Sequence, residues 1–175
     1  DWYPWLKKEA TKKGFKVEVP EMPDTNHLKI ENWIPFLRKL ITNPDEETYL
    51  IGHSVGCQAI LRFLESINKK IGGIILVAPW IKLNEQTIKE EGKESIEIAK
   101  PWVETPIDFK KIKKNIQKSI VIFSDDDPFV HLENKELFER ELNAKIIIEH
   151  KKGHFSQSDN CKEIPRLLEE LMEIA

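Results

Sequence analysis

Cysteine is scarce in this chain: 175 residues contain two, Cys57 and Cys161. Two thiols so far apart build neither a disulfide framework nor a zinc-ligand cluster, and they favour a reducing compartment, so the cytoplasm is the expected location. An excess of positive charge is also missing. Lys and Arg total 27 against 30 Asp and Glu, a net charge of −3, which supplies no field to draw the protein onto nucleic acid or an anionic membrane. Long hydrophobic runs are absent, since none approaches the roughly 20 residues of a membrane-spanning helix. The first residues lack the succession of basic, apolar and small zones that marks a signal peptide. With no internal repeat, low-complexity stretch or composition break, one domain over residues 1–175 is expected, long enough for a substantial core.

What is present centres on residues 48–67, where a short apolar run meets a glycine-flanked turn and then becomes an amphipathic helix. The turn, Gly52-His53-Ser54-Val55-Gly56, fits Gly-x-Ser-x-Gly, the nucleophile elbow that lifts a serine oxygen to the top of a sheet. So tight a reversal brings the two glycine positions close together, where β-carbons would clash. The helix that follows aims its free N–H groups and positive dipole end at negative charge forming beside Ser54.

Around this turn, strand and helix patterns alternate. Helical spacing is read over 2–13, 28–41, 55–67, 109–115, 133–142 and 164–174, with Pro35 restricting or kinking the second of these. Strands are read at 15–19, from its alternation, and at 71–77, 119–124 and 145–150. The 71–77 run is apolar without alternation, as in a parallel strand covered on both faces, and its Gly72-Gly73 pair signals close backbone packing rather than a phosphate loop. Residues 81–106 are the least regular stretch and read as a lid-like excursion holding a short helix at 94–99. The order points to an α/β fold with a mainly parallel sheet, whose sites form beyond the carboxyl ends of strands.

Three of the loops at those carboxyl ends carry chemistry, in the order Ser54, then Asp125-Asp126-Asp127, then His154. Serine, acid, histidine is the α/β-hydrolase order. Ser54 would attack a carbonyl carbon, His154 would take and return the proton, and one aspartate would fix the imidazole tautomer. The N–H of Val55 would be one oxyanion donor. Three consecutive acids also suit a cation, but oxygen-ligand sites need more ligands at staggered spacing, so loop solvation and turn formation explain Asp125 and Asp126 better. No metal or organic cofactor is required. Cys57 reads as a small buried hydrophobe. His53 is expected to point away from Ser54 and to be packed or hydrogen-bonded, His131 and His150 to be structural, and His27 to lie at the surface. Trp80 and Trp102 either line an acyl pocket or simply pack.

Taken together, Ile-Gly-His-Ser-Val-Gly, Ser-Asp-Asp-Asp-Pro-Phe-Val and Gly-His-Phe at 153–155 resemble the small serine hydrolase family that includes retinoblastoma-binding protein 9 and the bacterial YdeN-type proteins. Trp-Tyr-Pro-Trp-Leu-Lys-Lys-Glu at the start, Met-Pro-Asp at 22–24 and Trp-Ile-Pro-Phe at 33–36 are similar to it as well. The resemblance implies a three-layer α/β-hydrolase fold, and it assigns the catalytic acid to Asp127, the aspartate directly before proline. It further implies a first strand and a loop carrying a second oxyanion donor. Both would lie upstream of Asp1, so about 15–25 further residues are expected there. The activity implied is hydrolysis of an ester or similar acyl bond of a small-molecule substrate. A protein-binding module on the same fold and acyl transfer to an acceptor other than water are the alternatives, because fold does not decide between them.

Overall fold

The computed structural model describes residues 2–90 and 92–175. Asp1 and Glu91, the latter within the excursion, lie outside the described residues. Four strands, β1 (Tyr49–His53), β2 (Ile71–Val77), β3 (Ile116–Ser124) and β4 (Lys145–Glu149), form one sheet in the order β1-β2-β3-β4, and every pair is parallel. The register places His53 beside Val77, Val77 beside Ile122, and Ser124 beside Glu149. All four carboxyl ends therefore open on one rim.

The period-2 alternation of strand side chains divides the core between two helical layers. Ile74 and Leu76 of β2, with Val121 and Phe123 of β3, face a cluster that includes Trp33 and Leu37 of α2 (Ile30–Leu40), Leu61, Phe63 and Leu64 of α3 (Val55–Ser66), and Phe138 and Leu142 of α7 (Asn134–Leu142). Ile75, Val77, Ile120 and Ile122 face the opposite cluster, with Leu6 and Ala10 of α1 (Tyr3–Lys12) and Leu167 and Leu171 of α8 (Pro165–Ile174). Every residue of β2 is buried, which is why its sequence shows no polar alternation. A β-carbon at Gly72 would run into the Glu46 carbonyl and the Tyr49 ring, so the glycine pair does serve close packing.

Two expectations need correction. Residues 15–19 form no strand, for among the described residues none lies beside them to complete a ladder. Phe15 and Val17 still pack on the α1–α8 side of the core, so the alternation reports a half-buried segment rather than pairing. The 81–106 excursion is more regular than its composition suggests. It holds α4 (Glu85–Glu90) and α5 (Lys93–Glu104), with Pro101 inside the last turn of α5, and it leads into α6 (Phe109–Asn115), which is capped by the Asp108 carboxylate. Among the described residues no helix is long and apolar enough to cross a membrane.

Candidate active site

Ser54 occupies the turn between β1 and α3 with φ 51° and ψ −121°, a strained region for a residue with a β-carbon. The turn is tied to the neighbouring strand. The Val77 carbonyl accepts from Ser54 N–H at 3.0 Å and from Cys57 Sγ at 3.3 Å, while Cys57 N–H donates to the Ser54 carbonyl at 2.9 Å. Burial pushes the Cys57 thiol up, which leaves it a packing residue rather than a rival nucleophile. Val55 is the first residue of α3, so its N–H has no intrahelical acceptor.

His154 lies in the loop after β4, and its Nδ1 is 2.8 Å from Asp127 Oδ2 in the loop after β3. The pair is largely withdrawn from water, with the His154 side chain 14% and the Asp127 side chain 2% exposed. Asp127 Oδ1 is occupied by the N–H groups of Phe129 and Val130, at 2.8 and 3.0 Å, so the carboxylate cannot rotate away from the imidazole. The Phe129 ring meets the imidazole edge-on at 5.1 Å.

The acids preceding Asp127 do more than turn the chain. The last residue of β3 and the three that follow it grip five consecutive residues after β4. Asp125 pairs with His150 Nδ1 at 2.6 Å and accepts from Lys151 N–H at 2.9 Å; Ser124 Oγ accepts from Lys152 N–H at 3.0 Å; Asp126 Oδ1 accepts from Gly153 N–H at 2.8 Å; and Asp127 holds His154. The bond from His150, then that from Lys151 N–H, holds the Asp125 carboxyl below the usual carboxylate range and raises His150 in return. Ser124 Oγ and Gly153 N–H do the same for Asp126. Sequence reading assigned Asp125 and Asp126 to turn formation and missed this cross-loop role. The signal for it lies in the adjacency of β3 and β4, which no single segment reveals.

His53 was expected to be packed or hydrogen-bonded, and its Nε2 lies 2.6 Å from the His154 carbonyl, with the two rings 5.0 Å apart. The residue beside Ser54 thus touches the histidine loop. Among the described residues no hydrogen bond joins Ser54 to His154 directly; catalytic contacts are commonly loose before substrate arrives. Asp159, also missed, accepts at Oδ2 from the N–H groups of His154 and Ser156, both at 3.0 Å. Burial opposes its charge, and the bonds from Ser156 and His154 outweigh that, leaving its carboxyl below the usual range.

The two tryptophans offered as pocket walls are both buried. Trp102, 1% exposed, donates from its indole to the Leu28 carbonyl at 2.7 Å and meets Trp33 edge-on, whereas Trp80 is 4% exposed and gives its carbonyl to Gln58 Nε2 at 2.6 Å. Neither ring is open to a substrate in this conformation. His27 is exposed and pairs with Asp24, and the His131 carbonyl accepts from Asn134, so both serve local structure. Two surface hollows, of about 540 and 460 Å³, lie beside α6 and at the amino ends of β3 and β4, away from Ser54.

The serine hydrolase family model matches residues 1–173 of the chain. The chain is 30% identical over 166 residues, 94% of its length and 83% of the relative's, to YdeN of Bacillus subtilis (strain 168), which is named as a hydrolase. It is 29% identical over 173 residues, 98% of its length and 86% of the relative's, to the serine hydrolase RBBP9 of Rattus norvegicus. The crystal structure of the ydeN gene product from B. subtilis is similar with a TM-score of 0.86 at 28% identity, covering 99% of this chain and 89% of that one. MGS-MChE2, an alpha/beta hydrolase from a lagoon-sediment metagenome, is similar in fold, with a TM-score of 0.69 at 22% identity over 95% of this chain and 81% of its own. The parallel sheet between two helical layers is therefore of the α/β-hydrolase kind, and the chain belongs to the serine hydrolase family as an enzyme, a hydrolase.

Proposed function

We propose that the enzyme cleaves an ester or similar activated acyl bond of a small-molecule substrate through an acyl-enzyme on Ser54. His154 takes the hydroxyl proton as Ser54 Oγ bonds to the carbonyl carbon, and the Val55 N–H stabilises the oxyanion. Collapse of the tetrahedral adduct breaks the bond to the leaving oxygen, which receives the proton from His154. Water then enters, gives its proton to His154 and releases the acid, restoring Ser54. Asp127 holds Nδ1–H, which fixes the tautomer and favours the transient imidazolium. One observation carries this reading: the 2.8 Å bond from Asp127 to a histidine whose own carbonyl is held by the residue next to Ser54.

Residues 81–106 are proposed as a lid on the single domain, over the rim where the acyl chain would enter. The two cysteines, both free and buried, agree with a cytoplasmic site of action. Hydrolysis of p-nitrophenyl esters of graded acyl length tests the assignment. Ser54→Ala and His154→Ala should each lower kcat by at least about 10³-fold, and Asp127→Asn by about 10²–10⁴-fold. A Ser54→Ala enzyme as fast as the native one would refute it.

A further inference from the structure

The main chain of His154 is held on both sides by groups outside the three proposed catalytic residues. Its N–H donates to Asp159 Oδ2 at 3.0 Å, and its carbonyl accepts from His53 Nε2 at 2.6 Å. A carbonyl oxygen cannot donate, so Nε2 of His53 carries the proton, which fixes that ring's tautomer. With Nδ1 on Asp127, the residue is tied at three points by three separate segments. The loop needs such ties, because Gly153 and Phe155, on either side of His154, both have φ of 54°. For Phe155 that conformation is unfavourable, and a strained backbone persists only where its surroundings over-determine it. Asp159 is packed so closely that a β-carbon at Gly153 would collide with its carboxylate.

We infer that His53 and Asp159 are positioning residues that clamp the main chain of His154 and thereby set where its imidazole meets Ser54. The inference rests on the proposed role of His154. His53 suits the task because it is covalently next to Ser54, so one strand end governs both partners of the proton transfer. A shift of about 1 Å at such a contact can cost on the order of 10²-fold in rate. Burial first, then the charge of His154, pulls His53 down to about 4, so it stays neutral beside an imidazolium and does not add a second positive charge. Asp159 keeps its negative charge on the other side.

The test compares His53→Leu, His53→Gln, Asp159→Ala and Asp159→Asn by p-nitrophenyl ester kinetics and by the low-field imidazole N–H proton resonance of His154. His53→Leu should lower kcat about 10- to 100-fold with KM within about 2-fold, and should broaden the resonance. His53→Gln places an amide N–H near the position of Nε2 and should return kcat to within about 3-fold of native and keep the resonance sharp. Asp159→Ala should lose more than Asp159→Asn, which retains one acceptor. Equal losses in His53→Leu and His53→Gln, or an unchanged resonance and kcat in His53→Leu, would overturn the clamp. If His53→Leu does not fold, the ordering of Asp159→Ala below Asp159→Asn decides. Should native enzyme cleave no ester while the resonance still depends on His53, the clamp stands and the esterase reading falls; cleaved esters with both readouts indifferent to His53 mean the reverse.

Discussion

Gly52 and Gly56 flank the same serine but are constrained differently. A β-carbon at Gly52 would lie 2.8 Å from Ile60 Cδ1 and 3.0 Å from the Cys57 nitrogen, whereas one at Gly56 meets nothing within 4 Å. The motif alone presents them as equals; only the packing separates them. Gly52→Ala is expected to destabilise the protein by about 1–3 kcal/mol, since backbone atoms must give way. Gly56→Ala, in the first turn of α3, is expected to be neutral or stabilising by up to about 1 kcal/mol. Urea unfolding of the two variants checks the pair, and equal losses would contradict it. His53 gives a pH dependence. Its folded value of about 4 lies below the ordinary 6.5 because of burial, so between these values the unfolded chain binds the proton that the native state refuses. Stability should therefore fall as pH drops from 6.5 towards 4, with His53 responsible for at most about 3 kcal/mol. Melts of His53→Gln across that range should fall less steeply than those of the native protein.

Helices α3 and α5 show what one segment can and cannot announce about another. The 3.6-residue period of Ala59, Ile60, Phe63 and Leu64 made α3 legible, and the unbroken apolar run did the same for β2. The excursion was read as irregular, with a helix only at 94–99, because its order comes from a residue some forty positions earlier in the chain. Arg62 of α3 reads as one more basic residue on a helix, yet it is 3% exposed. Its Nη2 donates to the Trp102 and Thr105 carbonyls, both at 2.8 Å, and its Nη1 to Pro106 at 3.3 Å. These oxygens sit at the negative end of the α5 dipole, so a cation from another element finishes the helix. The same guanidinium lies 5.9 Å over the Trp102 ring. Arg62→Leu leaves buried carbonyls without donors and should cost about 2–4 kcal/mol, with proteolysis increasing first within 81–106. A melt unchanged from native would show that the anchor is dispensable.

Parallel order is what brings distant residues of the chain together. Because β1 to β4 run the same way in sequential order, the loops after β1, β3 and β4 open on one rim, and Ser54, Asp127 and His154 lie on them. This much was legible: the serine, acid, histidine order and the position of each at a strand end follow from local pattern. The clasp of Ser124 to Asp127 on residues 150–154 and the grip of His53 and Asp159 on His154 were not. They depend on which loops become neighbours, and hydrogen bonds to main-chain atoms leave little mark on residue type. The same limitation applies to Trp80 and Trp102, whose burial is set by α2 and α3 rather than by the prolines beside them. The proposed chemistry requires Ser54 to be an activated nucleophile and His154 to be what activates it. The most direct measurement is reaction with a fluorophosphonate probe followed by mass mapping of the modified peptide. The adduct is expected on Ser54 in the native enzyme, absent in Ser54→Ala, and formed at least about 10²-fold more slowly in His154→Ala; an adduct on another residue, or labelling as fast without His154 as with it, would contradict the account.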